Sequence, residues 1–266
     1  MNDQQFRQLL NHLGFSWSGY RKVRKGVKKR IQRHMNRLGC RDMAAYLIEL
    51  DRNNETRKEC ELLMTVSISR FFRDREFWRD VEDKLLFDLI GRYPEKIKVW
   101  SAGCACGDEV YSFKIVWECL KKRIVMLPGL EVLATDVNPT YLERARAGIY
   151  SASSLKAVQK EFLSIYFDRK KDGKHYAVKA LLAQDVVWKS HHLLCQAPGS
   201  GFHIIFMRNN VLTYYENQLK HKAFKNVLQS LAPSGLLVIG SHEALPFATT
   251  DLVRVAPHAF VFRKEK

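Results

Sequence analysis

No apolar run in this 266-residue chain approaches the roughly 20 residues that a membrane-crossing helix needs. The opening stretch, MNDQQFRQLLNHLGF, lacks the basic-then-apolar pattern of a secretory signal. The six cysteines, at 40, 60, 104, 106, 119 and 195, form no CxxC pair and no disulfide framework, so reduced and mostly buried thiols are expected. His191-His192 is accompanied by no HExxH motif or cysteine-rich spacing, and adjacent side chains diverge, so no metal is expected. These absences exclude a membrane-inserted protein, a disulfide scaffold and a zinc hydrolase. What they leave is a cytoplasmic globular protein, read as a monomer.

Acidic residues are scarce as well. Twenty-eight Asp and Glu stand against 44 Lys and Arg, a formal charge of +16 that favours an anionic partner. Residues 20–38 contain no acid at all. There the apolar residues Tyr20, Val23, Val27, Ile31, Met35 and Leu38 recur at steps of three and four, which predicts one amphipathic helix over 20–38 with that stripe packed inward. Charge of one sign forgoes the ion pairs that stabilise a solvated helix. Its outward cations, Lys22, Arg24, Lys25, Lys28, Lys29 and Arg33, are therefore read as a docking face for an acidic partner. Gly39 is placed to end this helix and Asp42 to cap the next. The helical pattern continues through 61–84, with Phe71, Phe72, Phe77 and Trp78 as packing, and residues 1–75 read as a basic all-helical domain.

Beyond Tyr93-Pro94 the period changes. Short buried-type strands at 97–100, 130–135, 202–206 and 236–240 alternate with helices at 110–121, after Pro139 and at 218–231. That alternation predicts a parallel, doubly wound α/β domain over 76–266, with ligands at the strands' carboxyl ends. Residues 148–190 break the alternation. Asp172-Gly173 between Tyr166-Phe167 and Tyr176-Ala177-Val178 is a hairpin signal, so an inserted antiparallel β-subdomain is expected there.

A glycine-bearing turn after the first strand, Gly103 to Glu109, faces Asp136 at the end of the second. A carboxylate in that position can bind ribose hydroxyls. The turn lacks GxGxxG, and Asp108-Glu109 would repel a pyrophosphate. The acids suit a ligand with an ammonium group, as S-adenosylmethionine has. From these residues a methyltransferase, a nucleotide-binding oxidoreductase and an inactive Rossmann-like scaffold all remain open.

Four segments resemble, in order, those of the CheR family of chemotaxis receptor methyltransferases: SISRFFR at 67–73, VWSAGCACGDEVYS at 99–112, ATDVN at 134–138 with Leu142, Ala145, Gly148 and Tyr150, and LAPSG at 231–235 with Gly240 and Glu243. The resemblance implies a Rossmann-like S-adenosylmethionine-dependent methyltransferase domain behind a small helical docking domain, with a small inserted β-subdomain. It implies S-adenosylmethionine as cofactor, S-adenosylhomocysteine as product, and glutamyl methyl esters on a chemoreceptor-like protein. Cofactor contacts carry over to Ser67, Ser69, Arg73, Gly103, Asp108, Glu109, Asp136, His192, Leu193, Arg208, Asn209 and Asn210. Arg73 and Tyr214 fall at the reacting groups.

The chain also departs from the family pattern. Serines stand at 67 and 69 for the family's Asn and Thr, His192 for an Asn, and His203 for an Asp. The turn MRNNVLTY at 207–214 is one residue longer than usual, so alignment from the left puts Thr213 at the tyrosine position and from the right Tyr214. Tyr214 is preferred because a phenol reaches further. Beside the glutamate methyltransferase stand a non-catalytic S-adenosylmethionine-sensing module and a nucleic-acid methyltransferase. The last is suggested by net charge alone and lacks the N/D-P-P-[YFW] motif.

Overall fold

A computed structural model describes residues 1–67 and 69–265; Ile68 of the 67–73 segment lies outside them. The chain begins with five helices: α1 (Asp3–Leu13), α2 (Trp17–Tyr20), α3 (Arg24–Arg37), α4 (Met43–Arg52) and α5 (Asn54–Met64). Their ends are set locally. Asn2 and Gln5 close a capping box on α1, Gly14 ends it in the left-handed conformation, and Asp42 and Asn53 accept the first amides of α4 and α5. Phe6, Leu9, Leu10, Tyr20, Val27, Ile31, Met35, Tyr46 and Leu50 form a core of their own.

The single helix expected over 20–38 is two. Residues 21–23 form a turn and α3 starts at Arg24, because Tyr20 is drawn inward, its hydroxyl donating to the Met64 carbonyl at 3.1 Å and its ring packed edge-on against Phe6 and Phe15. The inward stripe of Val27, Ile31 and Met35 is as expected.

The helical pattern expected through 61–84 is also interrupted. Residues 65–67 and 69–74 run without helix or strand before α6 (Arg75–Asp80), a π-turn (Val81–Leu85) and α7 (Leu86–Arg92). Phe71, Phe72, Phe77 and Trp78 leave the N-terminal core and pack on the sheet.

That sheet is built from β1 (Lys96–Ala102), β2 (Gly129–Asp136), β6 (Val186–Ser190), β7 (Phe202–Met207), β8 (Leu231–Ile239), β9 (Leu252–Arg254) and β10 (Val261–Lys264), in the order β6-β2-β1-β7-β8-β10-β9. The first five strands of that order run parallel, and β10 and β9 are antiparallel. The period-2 alternation of side chains divides two cores. Val99, Ile204, Phe206, Leu236 and Val238 face one layer with α8 (Asp108–Lys121); Trp100, Ile205, Met207, Leu237 and Ile239 face the other with α13 (Asn217–Ser230). Short helices α9 (Pro139–Ala147), α10 (Lys160–Tyr166), α11 (Ala180–Ala183) and α12 (Val211–Tyr214) complete the connections.

A separate antiparallel sheet, β3-β5-β4, consists of β3 (Ile149–Ser151), β4 (Phe167–Arg169) and β5 (His175–Val178), with the hairpin turning at Asp172 and Gly173. This is the expected antiparallel insertion, but shorter than 148–190. Residues 186–190 form β6, paired parallel with β2 at the main sheet's edge, because β6 extends the sheet that β2 leaves open. Among the described residues no helix is long and apolar enough to cross a membrane.

Candidate functional site

The strand order reverses at β1, flanked by β2 and β7, which opens a crevice at the strands' carboxyl ends. The turn leaving β1 is tied across that crevice, with the amides of Gly103 and Cys104 both donating to the Thr135 carbonyl at 2.8 Å. Gly103 has φ +89, and a Cβ on it would stand 2.4 Å from the Asn210 amide nitrogen. Only glycine permits that approach.

Asp136 ends β2 with its two carboxylate oxygens accepting the amides of Ala105 and Asn138, each at 2.9 Å. Burial pushes its carboxyl pKa upward, against the pull of these amides. The carboxylate lines the crevice, as a ribose diol requires.

Glu109 lies in the first turn of α8. It accepts the Ser101 hydroxyl at 2.9 Å and Arg208 Nη1 at 3.3 Å. Burial raises its pKa, opposed by Arg208, Ser101 and Arg73. Arg208, at the end of β7, also donates Nη2 to Asp74, while its buried Nε has no partner among the described residues. Asp74, Arg208 and Glu109 thus form a partly buried chain of alternating charge.

The turn 208–210 is organised by Glu243, whose Oε2 accepts the amides of Asn209 and Gly240 at 2.9 and 2.7 Å and whose Oε1 accepts the Thr213 hydroxyl at 2.5 Å. Asn210 donates to the Ala102 carbonyl, closing the turn onto β1. His192 Nδ1 accepts the Leu194 amide at 3.1 Å. The neutral ring therefore carries its proton on Nε2, 3.4 Å from the Tyr215 hydroxyl, and burial holds its pKa below the usual histidine value.

These groups line one cavity of about 930 Å³. The structure brings to it Ser69, Arg73, Gly103, Glu109, Asp136, His192, Leu193, Arg208, Asn209, Asn210 and Tyr214. Burial raises the pKa of both Glu109 and Tyr214, and Arg73 stands near enough to each for its charge to oppose that rise. Thr213 and Tyr214 both reach the cavity, but the Thr213 hydroxyl is held by Glu243.

Two expected contacts lie elsewhere. Asp108 is buried away from the cavity, bonded to its own backbone and to Ser69, with its pKa pushed up to about 6 by burial. Its place at the first helical position turns it from the crevice into the α8 N-terminus. Ser67 also lies outside the cavity lining, its hydroxyl 3.6 Å from Cys106 Sγ. Of the basic residues, Lys22 lies at the cavity rim, while Lys25, Lys29 and Arg33 are exposed. Lys28 and Arg24 are not free outward cations: both pair with Asp3, at 2.9 and 3.5 Å.

Sequence reasoning missed the wall contributed by the helical unit. Phe15, Gly19, Tyr20 and Glu61 all line the cavity, and Phe15 pairs with Tyr215 by an isolated β-bridge. It also missed Asp74 and the organising role of Glu243, although Glu243 stands in one of the quoted segments.

The donor set fits S-adenosylmethionine. Asp136 offers acceptors for a ribose, Glu109 a carboxylate for an ammonium group, Arg73 and Arg208 cations for a carboxylate, and Val137 and Leu193 apolar surface for a base. Among the described residues no group of three or more His, Cys, Asp or Glu could hold a metal ion.

The family described as CheR methyltransferase, SAM binding domain, matches residues 67–261. A chemotaxis protein methyltransferase of Listeria monocytogenes is 32% identical over 183 residues, covering 69% of this chain and 67% of that one. Chemotaxis protein methyltransferase 1 of Vibrio cholerae is 32% identical over 211 residues, covering 77% and 76%. A 104.1 kDa protein of Rhodobacter capsulatus is 26% identical over 221 residues, which are 82% of this chain and 23% of that protein's length.

Proposed function

The chain belongs to the CheR methyltransferase family and is an S-adenosylmethionine-dependent methyltransferase, and from that premise we propose that it forms methyl esters on glutamate side chains of an acidic, chemoreceptor-like protein. The names of its relatives support the partner class. The observation that carries the chemistry is that Arg73 and Tyr214 share one cavity with Glu109 and Asp136, so a cation and a phenol stand beside the groups suited to the cofactor.

The bound cofactor supplies an electrophilic methyl group on a sulfonium. A glutamate side chain, with an ordinary pKa near 4.3, is already an anion at neutral pH, so this chain need provide no general base. Its task is alignment and exclusion of water. Arg73 orients the acceptor carboxylate, and Tyr214 donates a hydrogen bond at the same place. Glu109 holds the cofactor's ammonium group and Asp136 its ribose. Ser69, His192, Leu193 and the turn 208–210 shape the rest of the pocket. The five N-terminal helices dock the partner and close one wall.

The test is transfer of labelled methyl from S-adenosylmethionine to an acidic protein, followed by mild alkali. A glutamyl ester releases methanol; a methylated nitrogen or nucleic acid does not. Arg73→Ala should lower kcat at least tenfold with little change in unfolding free energy. Cofactor binding with no product from any acceptor would instead identify a sensing module.

A further inference from the structure

Beside the reaction cavity a second cleft of about 480 Å³ is lined by Arg70, Arg75, Ser153, Ser154 and Lys156. Arg70, Arg73 and His242 line both cavities, so the two adjoin. One wall is residues 70–74 and the start of α6; the other is the turn after β3 in the inserted sheet. The walls are tied together where Arg75 Nη2 donates to the Lys156 carbonyl at 3.3 Å. Arg70, Arg75, Lys156 and His242 are exposed. The acid in the cleft is Asp74, which is paired with Arg208.

We propose that this cleft holds the acidic stretch of the protein substrate that flanks the methylated glutamate, entering over the inserted sheet and leading its side chain past Arg73 into the reaction cavity. The inference rests on the glutamate methyltransferase reading. Arg70, Arg73, Arg75 and Lys156 around a concave surface, against one carboxylate that is itself paired with Arg208, form an attractive field for an anion, and low-dielectric walls focus it. A polypeptide there advances about 3.3 Å per residue, so a few residues span the cleft while one side chain turns inward. Arg21 and Lys22 also line the reaction cavity, so a chain passing them meets positive charge there too. The cleft thereby selects acceptors by the acidity of their neighbours, a discrimination separate from docking on α3.

The experiment uses the full chain saturated with S-adenosylhomocysteine and two fluorescein-labelled peptides carrying glutamine at the acceptor position, one flanked by aspartates and one by asparagines. Binding is read by anisotropy, so its outcome does not depend on whether glutamate is the acceptor. Reversal of the cleft in Arg70→Glu/Arg75→Glu/Lys156→Glu should weaken the acidic peptide at least about tenfold at low salt and leave the neutral peptide within about twofold. The milder Arg70→Gln/Lys156→Gln variant should fall between, and S-adenosylhomocysteine affinity, read by calorimetry, certifies the fold of each. Equal loss for both peptides, or none for the acidic one, overturns the proposal. So does a cleft reversal that abolishes binding of an oligonucleotide while sparing the acidic peptide. Failure of alkali to release methanol from product, by contrast, overturns the glutamate reading alone.

Discussion

Gly19 and Thr213 meet backbone to backbone: a Cβ on Gly19 would stand 2.2 Å from the Thr213 carbonyl oxygen. Around that contact the Ser16 amide donates to the Tyr214 carbonyl at 2.8 Å, and the rings of Tyr20 and Tyr214 lie 5.0 Å apart. The helical unit therefore fixes the residue assigned to the reacting carboxylate. Gly19→Ala must push α2 off α12. Alanine is the better helix former by about 1 kcal/mol, yet a clash with backbone cannot be relieved by a rotamer change, and overpacking of this kind costs about 1–3 kcal/mol. Urea unfolding should show a net loss of stability, and turnover should fall more than cofactor affinity. Unchanged turnover would show that α2 does not position Tyr214.

Asp136 is tested by Asp136→Asn. The amide keeps one acceptor but turns a donor toward either Ala105 N–H or Asn138 N–H, and it lacks the charge for a ribose diol. Charge-assisted hydrogen bonds contribute about 1.5–3 kcal/mol, so affinity for S-adenosylhomocysteine should drop about ten- to a hundredfold. Calorimetry at unchanged affinity would remove Asp136 from the ribose site.

The local signals that made much of this site legible are backbone signals. A glycine at φ +89 between a buried strand and a helix, and a carboxylate closing the next strand, can be read from a few adjacent residues because the parallel sheet brings those two strand ends together. What stayed hidden depends on contacts across long stretches of chain. Glu243 bonds residues 30 and 34 positions away, Arg208 reaches Asp74 across 134, and Phe15 meets Tyr215. No periodicity encodes such pairings. The two acids of the α8 first turn are hard to tell apart for a related reason: adjacent carboxylates look equivalent in sequence, but 100° of helix rotation brings Glu109 to the crevice and leaves Asp108 buried outside its lining. Likewise the strand at 186–190 carries an exposed Val187 and reads as part of the hairpin region, and only its register with β2 assigns it to the main sheet.

That buried Asp108 gives the fold a pH dependence of definite sign. Its pKa is pushed up to about 6 in the folded protein from an ordinary 3.8, with burial the largest cause and its own backbone amide and Ser69 opposing it. Between these values the folded state holds a proton that the unfolded chain has released, so stability falls as pH rises from about 4 through about 6 and stays lower above. Asp108→Asn, which keeps an acceptor at the helix start without the charge, should raise stability at pH 8 by about 1–3 kcal/mol. Near pH 4 the difference should vanish. Denaturation curves of both proteins at the two pH values decide it, and an Asn variant less stable at pH 8 would show that the charge is favoured by the α8 N-terminus.

The basic face of α3 carries the last prediction. Lys25, Lys29 and Arg33 are exposed, four residues apart along one line of the helix, and share no carboxylate among the described residues. Lys28 and Arg24 are different, since both face Asp3, whose pKa is lowered by its hydrogen bond to Lys28. Reversing Lys25, Lys29 and Arg33 together to Glu should weaken an acidic protein partner by about ten- to a hundredfold at low salt. Each exposed pair is worth only about 0.2–1 kcal/mol, but reversal replaces attraction by repulsion. Unfolding and S-adenosylhomocysteine affinity should stay as in the parent, because these three side chains touch neither core nor cavity. Lys28→Glu should show the opposite pattern, lowering the melting temperature by setting two carboxylates against each other while changing partner affinity less. Raising salt to about 0.5 M should shrink the difference between parent and triple variant, as screening shortens the reach of exposed charge to a few ångströms. If the triple variant binds the partner as tightly as the parent at low salt, α3 is not the docking face, and the one-signed charge of this helix serves only to keep it in water.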